Sequence, residues 1–235
     1  MTDETAVVVG VGPGLGRALA KRFSLAGMRV AMAARDAGKL EALVNWAPAA
    51  EVRGYGCDAT NPADVDRLFE QVQRDLGAPT LVVYNAGTFR PGGILEITPD
   101  DFEACWRIGC FGGFLVGQAA ARVMEPKGSG TIVFSGATAS LRGGARFANL
   151  ASPKFGLRAV AQSMARELGP MGVHVAHVII DGQIDSDRYR PLAAERGPDS
   201  LLEPDAIAEA YLQLHLQHRS AWTHELDLRP WIERF

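Results

Sequence analysis

Cysteine is scarce in this 235-residue sequence: Cys57, Cys105 and Cys110 are an odd number in unrelated contexts. That excludes a disulfide framework and suits free thiols in a reducing compartment, so the expected setting is the cytoplasm. Neither charge is in excess. The 24 Lys and Arg face 27 Asp and Glu, a formal charge of -3, and no broad field draws the chain to nucleic acid or to an anionic membrane. No apolar run approaches the roughly 18 residues of a membrane-spanning helix. The acidic opening MTDETAVVVG lacks the basic start and longer apolar stretch of a secretory signal. Internal repeats and linker-like tracts are also missing, and with 47% hydrophobic and 22% charged residues the composition suits one globular domain over residues 1–235.

What the sequence does hold is alternation. Short apolar runs at Ala6 to Val9, Arg29 to Ala33, Val52 to Tyr55, Leu81 to Tyr84, Ile132 to Phe134 and Val173 to Ile180 read as buried strands. Between them, Leu15 to Leu25, Ala37 to Trp46, Ala63 to Leu76, Asp101 to Met124 and Phe155 to Leu168 carry helical periodicity. Strand and helix in turn imply an α/β fold with a doubly wound parallel sheet. After Ile180 the pattern breaks. Asp181 to Leu202 is polar with Pro191, Gly197 and Pro198, which suggests a lid-like segment near residues 183–203 with short helical pieces. A helix near Pro204 to Gln217 and an edge strand at Leu226 to Leu228 complete the pattern.

The first strand runs into Gly10-Val11-Gly12-Pro13-Gly14-Leu15-Gly16 and then a helix, an arrangement that presents backbone N–H groups and a helix dipole to a pyrophosphate. By itself such a turn also serves as a close-packed strand–helix connection. Further motifs follow in order: Asp58 after the third strand, Asn85-Ala86-Gly87 after the fourth, and Asp181-Gly182-Gln183-Ile184-Asp185-Ser186 after the sixth. With the Gly10-x-x-x-Gly14-x-Gly16 spacing, residues 5–190 resemble the short-chain dehydrogenase/reductase family. The resemblance implies a Rossmann-type three-layer α/β/α fold and a bound dinucleotide. It assigns the glycine turn to the pyrophosphate, Asp58 to the adenine, and Gly182, Ile184 and Ser186 to the carboxamide end. Asp58 reads equally as a local cap. Ala33-Ala34-Arg35-Asp36 closes the second strand without the acidic residue typical of NAD sites, and Arg35 suits a 2′-phosphate, which favours NADP(H) over NAD(H). The alternative is a solvated Arg35 paired with Asp36.

The family's catalytic residues are mostly replaced. With Lys154 as the family lysine, the Tyr position is Leu150, the Ser position Ala137 and the Asn position Gly109, while the enoyl reductase register places Phe147 where a Tyr would stand. Lys154 remains as a ribose ligand or catalytic group. Thr138, beside the Ser position, and Tyr189, in the lid-like segment, are candidate hydroxyls that also read as structural. Pro153 suggests that the helix starts late, with Ser152 as N-cap and Pro153 at its first position. His174, His177, His215 and His218 have no ligand partners at zinc spacing, so no metal is expected. The favoured expectation is an oxidoreductase with an altered site and an unidentified small-molecule substrate. The alternative is a catalytically inactive NADP(H) sensor or partner-stabilising protein, and a lyase or isomerase stands third. Because family members pair across the helices matching Asp101 to Met124 and Phe155 to Leu168, a homodimer or homotetramer is expected.

Overall fold

The computed structural model describes residues 3–46 and 48–233. Seven strands form one parallel sheet: β1 (Thr5–Val9), β2 (Arg29–Ala34), β3 (Val52–Gly56), β4 (Leu81–Tyr84), β5 (Gly130–Ser135), β6 (Val173–Ile180) and β7 (Glu225–Leu228). Their order is β3-β2-β1-β4-β5-β6-β7. Four of them, β1, β4, β5 and β6, are buried nearly throughout because both sheet faces are covered. Helices α2 (Pro62–Leu76), α4 (Gly112–Met124) and α5 (Ala148–Leu168) bury one face, around Leu68, Val116, Phe134 and Leu157. On the other face lie α1 (Leu15–Leu25) and α7 (Pro204–His215), around Leu19, Phe23, Val83 and Tyr211. The sheet is thus the middle of three layers. Its winding reverses between β1 and β4, and such a reversal opens a crevice at the carboxyl ends of the strands.

Helix starts follow capping chemistry. Asn61 accepts the Ala63 N–H ahead of Pro62, and Thr98 accepts the Asp101 N–H ahead of Pro99 at the start of α3 (Pro99–Trp106). Three expected helices differ. Residues 37–46 hold two 3-10 turns, Ala37–Lys39 and Glu41–Leu43, since Gly38 and the chain leading to Pro48 do not sustain a longer helix. The span expected from Asp101 to Met124 is α3, a π-helical turn at Arg107–Phe111, and α4.

The third correction concerns Pro153. Ser152 is not the N-cap: α5 begins at Ala148, with the N–H groups of Leu150 and Ala151 bonded to the Phe147 carbonyl, and Pro153 lies inside it. Its ring has room because residue 109 has no side chain. A Cβ on Gly109 would lie 2.7 Å from Pro153 Cβ.

After β6 the chain makes an excursion with a short helix, α6 (Arg190–Arg196). Its base is closed by a bridge between Ile184 and Leu202, with Asp185 N–H on Leu202 O at 2.8 Å and Leu202 N–H on Gln183 O at 2.9 Å. The last helix ends at His215, so His218 lies beyond it and caps the turn Arg219–Ala221. No helix among the described residues is long and apolar enough to cross a membrane.

Candidate functional site

A hollow of about 350 Å³ sits at the carboxyl ends of β1, β2 and β4, where Gly10, Gly12, Arg35, Asp58 and Asn85 to Gly87 meet. The glycines divide by what surrounds them. Gly10 has φ +95°, a left-handed conformation that favours glycine, and a Cβ there would lie 2.3 Å from Ala86 N. A Cβ on Gly16 would lie 2.7 Å from Val11 Cα. These two let the turn pack against its own strand and against β4. Gly12 and Gly14 have nothing within 4 Å on the side where a Cβ would project, so their backbone faces open space. Leu15 begins α1 with its side chain buried, and no side chain caps the helix at Gly14. The Asn85 amide donates to Gly10 O at 3.1 Å and ties the turn to the end of β4.

Arg35 is exposed and lines both this hollow and a neighbouring one of about 310 Å³ shared with Gly12, Asp36 and Lys39. Asp36 pairs with Lys39 at 3.2 Å, and among the described residues Arg35 has no recorded ion pair. Asp58 accepts the Thr60 N–H at 2.9 Å and the Thr60 hydroxyl at 2.8 Å, so it caps its own turn while also facing the hollow.

Lys154 projects from α5 to the floor of the crevice. It is 7% exposed and donates to Ser135 O at 2.6 Å. Burial without a carboxylate partner lowers its pKa from 10.5 to about 8. Its Nζ lies 3.9 Å from the place a Cβ on Gly87 would take, which joins it to the Asn85-Ala86-Gly87 segment. Leu150 stands one turn earlier on the same helix face. Gly109 faces Pro153, and that ring fills the space a side chain at 109 would need.

Thr138 follows Ala137 after β5, and its hydroxyl donates to the Asp181 carboxylate. Asp181 is 6% exposed, with its other oxygen 3.6 Å from Arg229. The turn behind Thr138 is held by Ser140, whose hydroxyl accepts the Ala137 N–H at 3.2 Å and lies 3.4 Å from His177 Nε2. Burial pushes His177 down to about 4. Tyr189 precedes α6, with the Arg188 guanidinium 5.3 Å from its ring centre, and lies outside the lining of the main hollow. Gly182, Ile184 and Ser186 lie past the end of β6 rather than in the lining of the main hollow.

Two site features were not read from the sequence. The Thr138–Asp181 bond joins residues 43 apart, and Asp181 was legible only as a departure from a Pro. Tyr84, at the end of β4, lines the hollow, but its hydroxyl donates to Ile108 O and burial raises its pKa, so it is no free proton donor.

Residues 4–196 match the family model for short chain dehydrogenases. Over 190 residues the chain is 32% identical to the 3-oxoacyl-acyl-carrier-protein reductase MabA of Mycobacterium avium, covering 81% of this chain and 71% of that protein. A solved short-chain dehydrogenase from Rhodopseudomonas palustris is 38% identical with a TM-score of 0.85, over 98% of this chain and 100% of that one. A metagenomic short-chain oxidoreductase solved in complex with NADP is 26% identical with a TM-score of 0.83, over 98% of each chain.

Proposed function

The chain belongs to the short-chain dehydrogenase family, and from that premise we propose that it binds NADP(H) and acts as an oxidoreductase on a small molecule through an altered catalytic site. The observation that carries the cofactor reading is the cradle of Gly10, Gly12, Gly14 and Gly16: two glycines press into backbone, and two leave backbone open at the start of α1. At its rim, Arg35 and the Asp36-paired Lys39 are cations that suit a ribose 2′-phosphate. The relative solved with NADP supports the same choice. When bound, the nicotinamide gives or takes hydride.

The chain's own residues divide the remaining work. Lys154, with a pKa near 8, is mostly cationic at neutral pH and suits the ribose hydroxyls. Leu150 supplies no proton, a loss worth ~10²–10⁴-fold in ordinary carbonyl reduction. Thr138 has one hydroxyl proton, committed to Asp181, so it presents an acceptor to the crevice rather than an oxyanion donor. The second reading, an inactive NADP(H) sensor or partner-stabilising protein, rests on Leu150, Ala137 and the Pro153-filled Gly109 together.

The test is separate titration with NADPH and NADH, alongside Arg35→Ala. Micromolar NADPH binding that loses its preference in the variant is expected, whereas no binding of either nucleotide overturns both readings. Trp106, Phe114 and Phe155, exposed at 38%, 40% and 42% on α3, α4 and α5, support a homodimer or homotetramer. A monomer in sedimentation at micromolar concentration refutes this. The buried free thiols of Cys57, Cys105 and Cys110 suit a cytoplasmic setting.

A further inference from the structure

The face of α5 that carries Lys154 continues toward solvent as Leu150, four residues back, and Phe147 precedes the helix as its N-cap residue. Lys154 marks the crevice floor, and Phe147 stands at the rim with 40% of its surface exposed. From the opposite wall Phe89 meets it, with ring centres 4.7 Å apart and planes tilted by 32°. Phe89 lies between Thr88 and Arg90, both of which line the main hollow, so the aromatic pair is continuous with the cofactor crevice. The two walls are fastened together. Gly92 N–H donates to Arg146 O at 3.3 Å, Arg146 donates to Glu96 at 2.9 Å, and the Asn149 amide donates to Arg90 O. Leu141, 39% exposed, adds apolar surface in the segment before Phe147.

Exposed aromatic surface beside a largely pre-formed crevice marks a ligand wall. With Leu150 in place of a hydroxyl, the wall between Phe147 and Lys154 is apolar, and a flat ring can extend the Phe89–Phe147 pair by offset stacking. Resting on the dinucleotide reading above, we propose that the substrate is an aryl ketone or the corresponding aryl alcohol, its ring against Phe147 and Phe89 and its oxygen-bearing carbon toward Lys154; the dinucleotide would supply or take the hydride, and solvent water the proton.

The test uses fluorine NMR of the NADP⁺-loaded protein with para-fluoroacetophenone and, as a ring-free probe, fluoroacetone, while NADP⁺ binding is followed calorimetrically on the same samples. Saturable broadening of the aryl probe alone is expected. Phe147→Ala should weaken its binding about 3- to 10-fold, and Phe89→Leu should act in the same direction with the fold intact. Met171→Ala, in the turn before β6 at the amino ends of the strands, should leave binding unchanged. NADP⁺ binding with no aryl broadening, equal binding of the two probes, or an unchanged Phe147→Ala overturns the proposal while leaving the cofactor reading. A Phe147→Ala protein that changes sedimentation but not aryl binding also overturns it, by assigning Phe147 to contact with a second copy. Aryl binding that weakens in the variants without any NADP⁺ binding sustains the wall and overturns the dinucleotide reading.

Discussion

Replacing Lys154 with Met should stabilise the apo protein near neutral pH and destabilise it at high pH. Burial holds the Lys154 pKa at about 8, against 10.5 in the open chain. Each pH unit of displacement is about 1.4 kcal/mol, so keeping the ammonium in the folded state costs about 3 kcal/mol below pH 8. Met removes that cost and fills a similar volume. It also removes the hydrogen bond to Ser135 O, worth about 1 kcal/mol. The variant should therefore be more stable by about 2 kcal/mol near pH 7. Between pH 8 and 10.5 the unfolded wild type binds more protons at this residue than the native state does, so this contribution rises with pH. Above 10.5 both states carry a neutral amine, and the variant should be less stable by about 1 kcal/mol. Cys57 and Tyr55, each raised to about 12 chiefly by burial, make both proteins lose stability at alkaline pH and cancel in the difference. Urea unfolding of the two proteins from pH 7 to 10.5 measures it. A stability difference that stays flat over that range would refute the assigned burial of the charge.

Gly10→Ala should cost about 3 kcal/mol or more, because φ +95° and a Cβ 2.3 Å from Ala86 N leave no relaxed position; thermal unfolding checks it. Gly109→Asn should cost about 1–3 kcal/mol by overpacking against Pro153, and Pro153→Ala in the same chain should recover much of that, which a double-mutant cycle reads directly. Once that pair is in place, Leu150→Tyr with Ala137→Ser should produce NADPH-dependent ketone reduction; no gain at all, with NADPH still bound, refutes the view that side chains alone limit the site. Asp181→Asn should leave NADPH affinity nearly unchanged in calorimetric titration, since its contacts are with Thr138 and Arg229 rather than the glycine turn.

The strands were legible because a parallel sheet buried on both faces leaves short unbroken apolar runs, and β4 and β6 fall where the sequence places them. The glycine turn was legible because few other folds place three glycines between a strand and a helix. Residues 37–46 misled because amphipathic spacing survives in a segment whose Gly38 and approach to Pro48 favour short turns. Pro153 misled for the opposite reason. The rule against proline within helices is sound locally, but a residue 44 positions earlier, Gly109, gives the ring its place, and no local pattern reports that contact. Arg35 was legible as a cation at the end of β2, whereas its freedom from Asp36 depends on Lys39 taking that carboxylate, which only the folded turn decides.

The departures in the catalytic region fit one another. Gly109 and Pro153 interlock, Thr138 donates to Asp181, and Leu150 continues an apolar wall that Phe147 and Phe89 complete. One residue does not fit an inert packed wall. Lys154 keeps an ammonium buried with a single carbonyl partner, where Met would serve the fold better by about 2 kcal/mol at neutral pH, the balance of burial against one hydrogen bond. Local cost of this kind is characteristic of a site shaped for a ligand. An ammonium has three donors, and Ser135 O takes one. Ribose hydroxyl oxygens would accept the others, and the cost in the apo protein would then be offset in the complex. Dinucleotide binding should accordingly raise the Lys154 pKa and take up protons near pH 8, and calorimetric titrations in buffers of different ionisation enthalpy measure that uptake. An Arg35-dependent association with no proton uptake would place the nucleotide in the glycine cradle without engaging Lys154, and would leave the buried charge without a ligand-based reason.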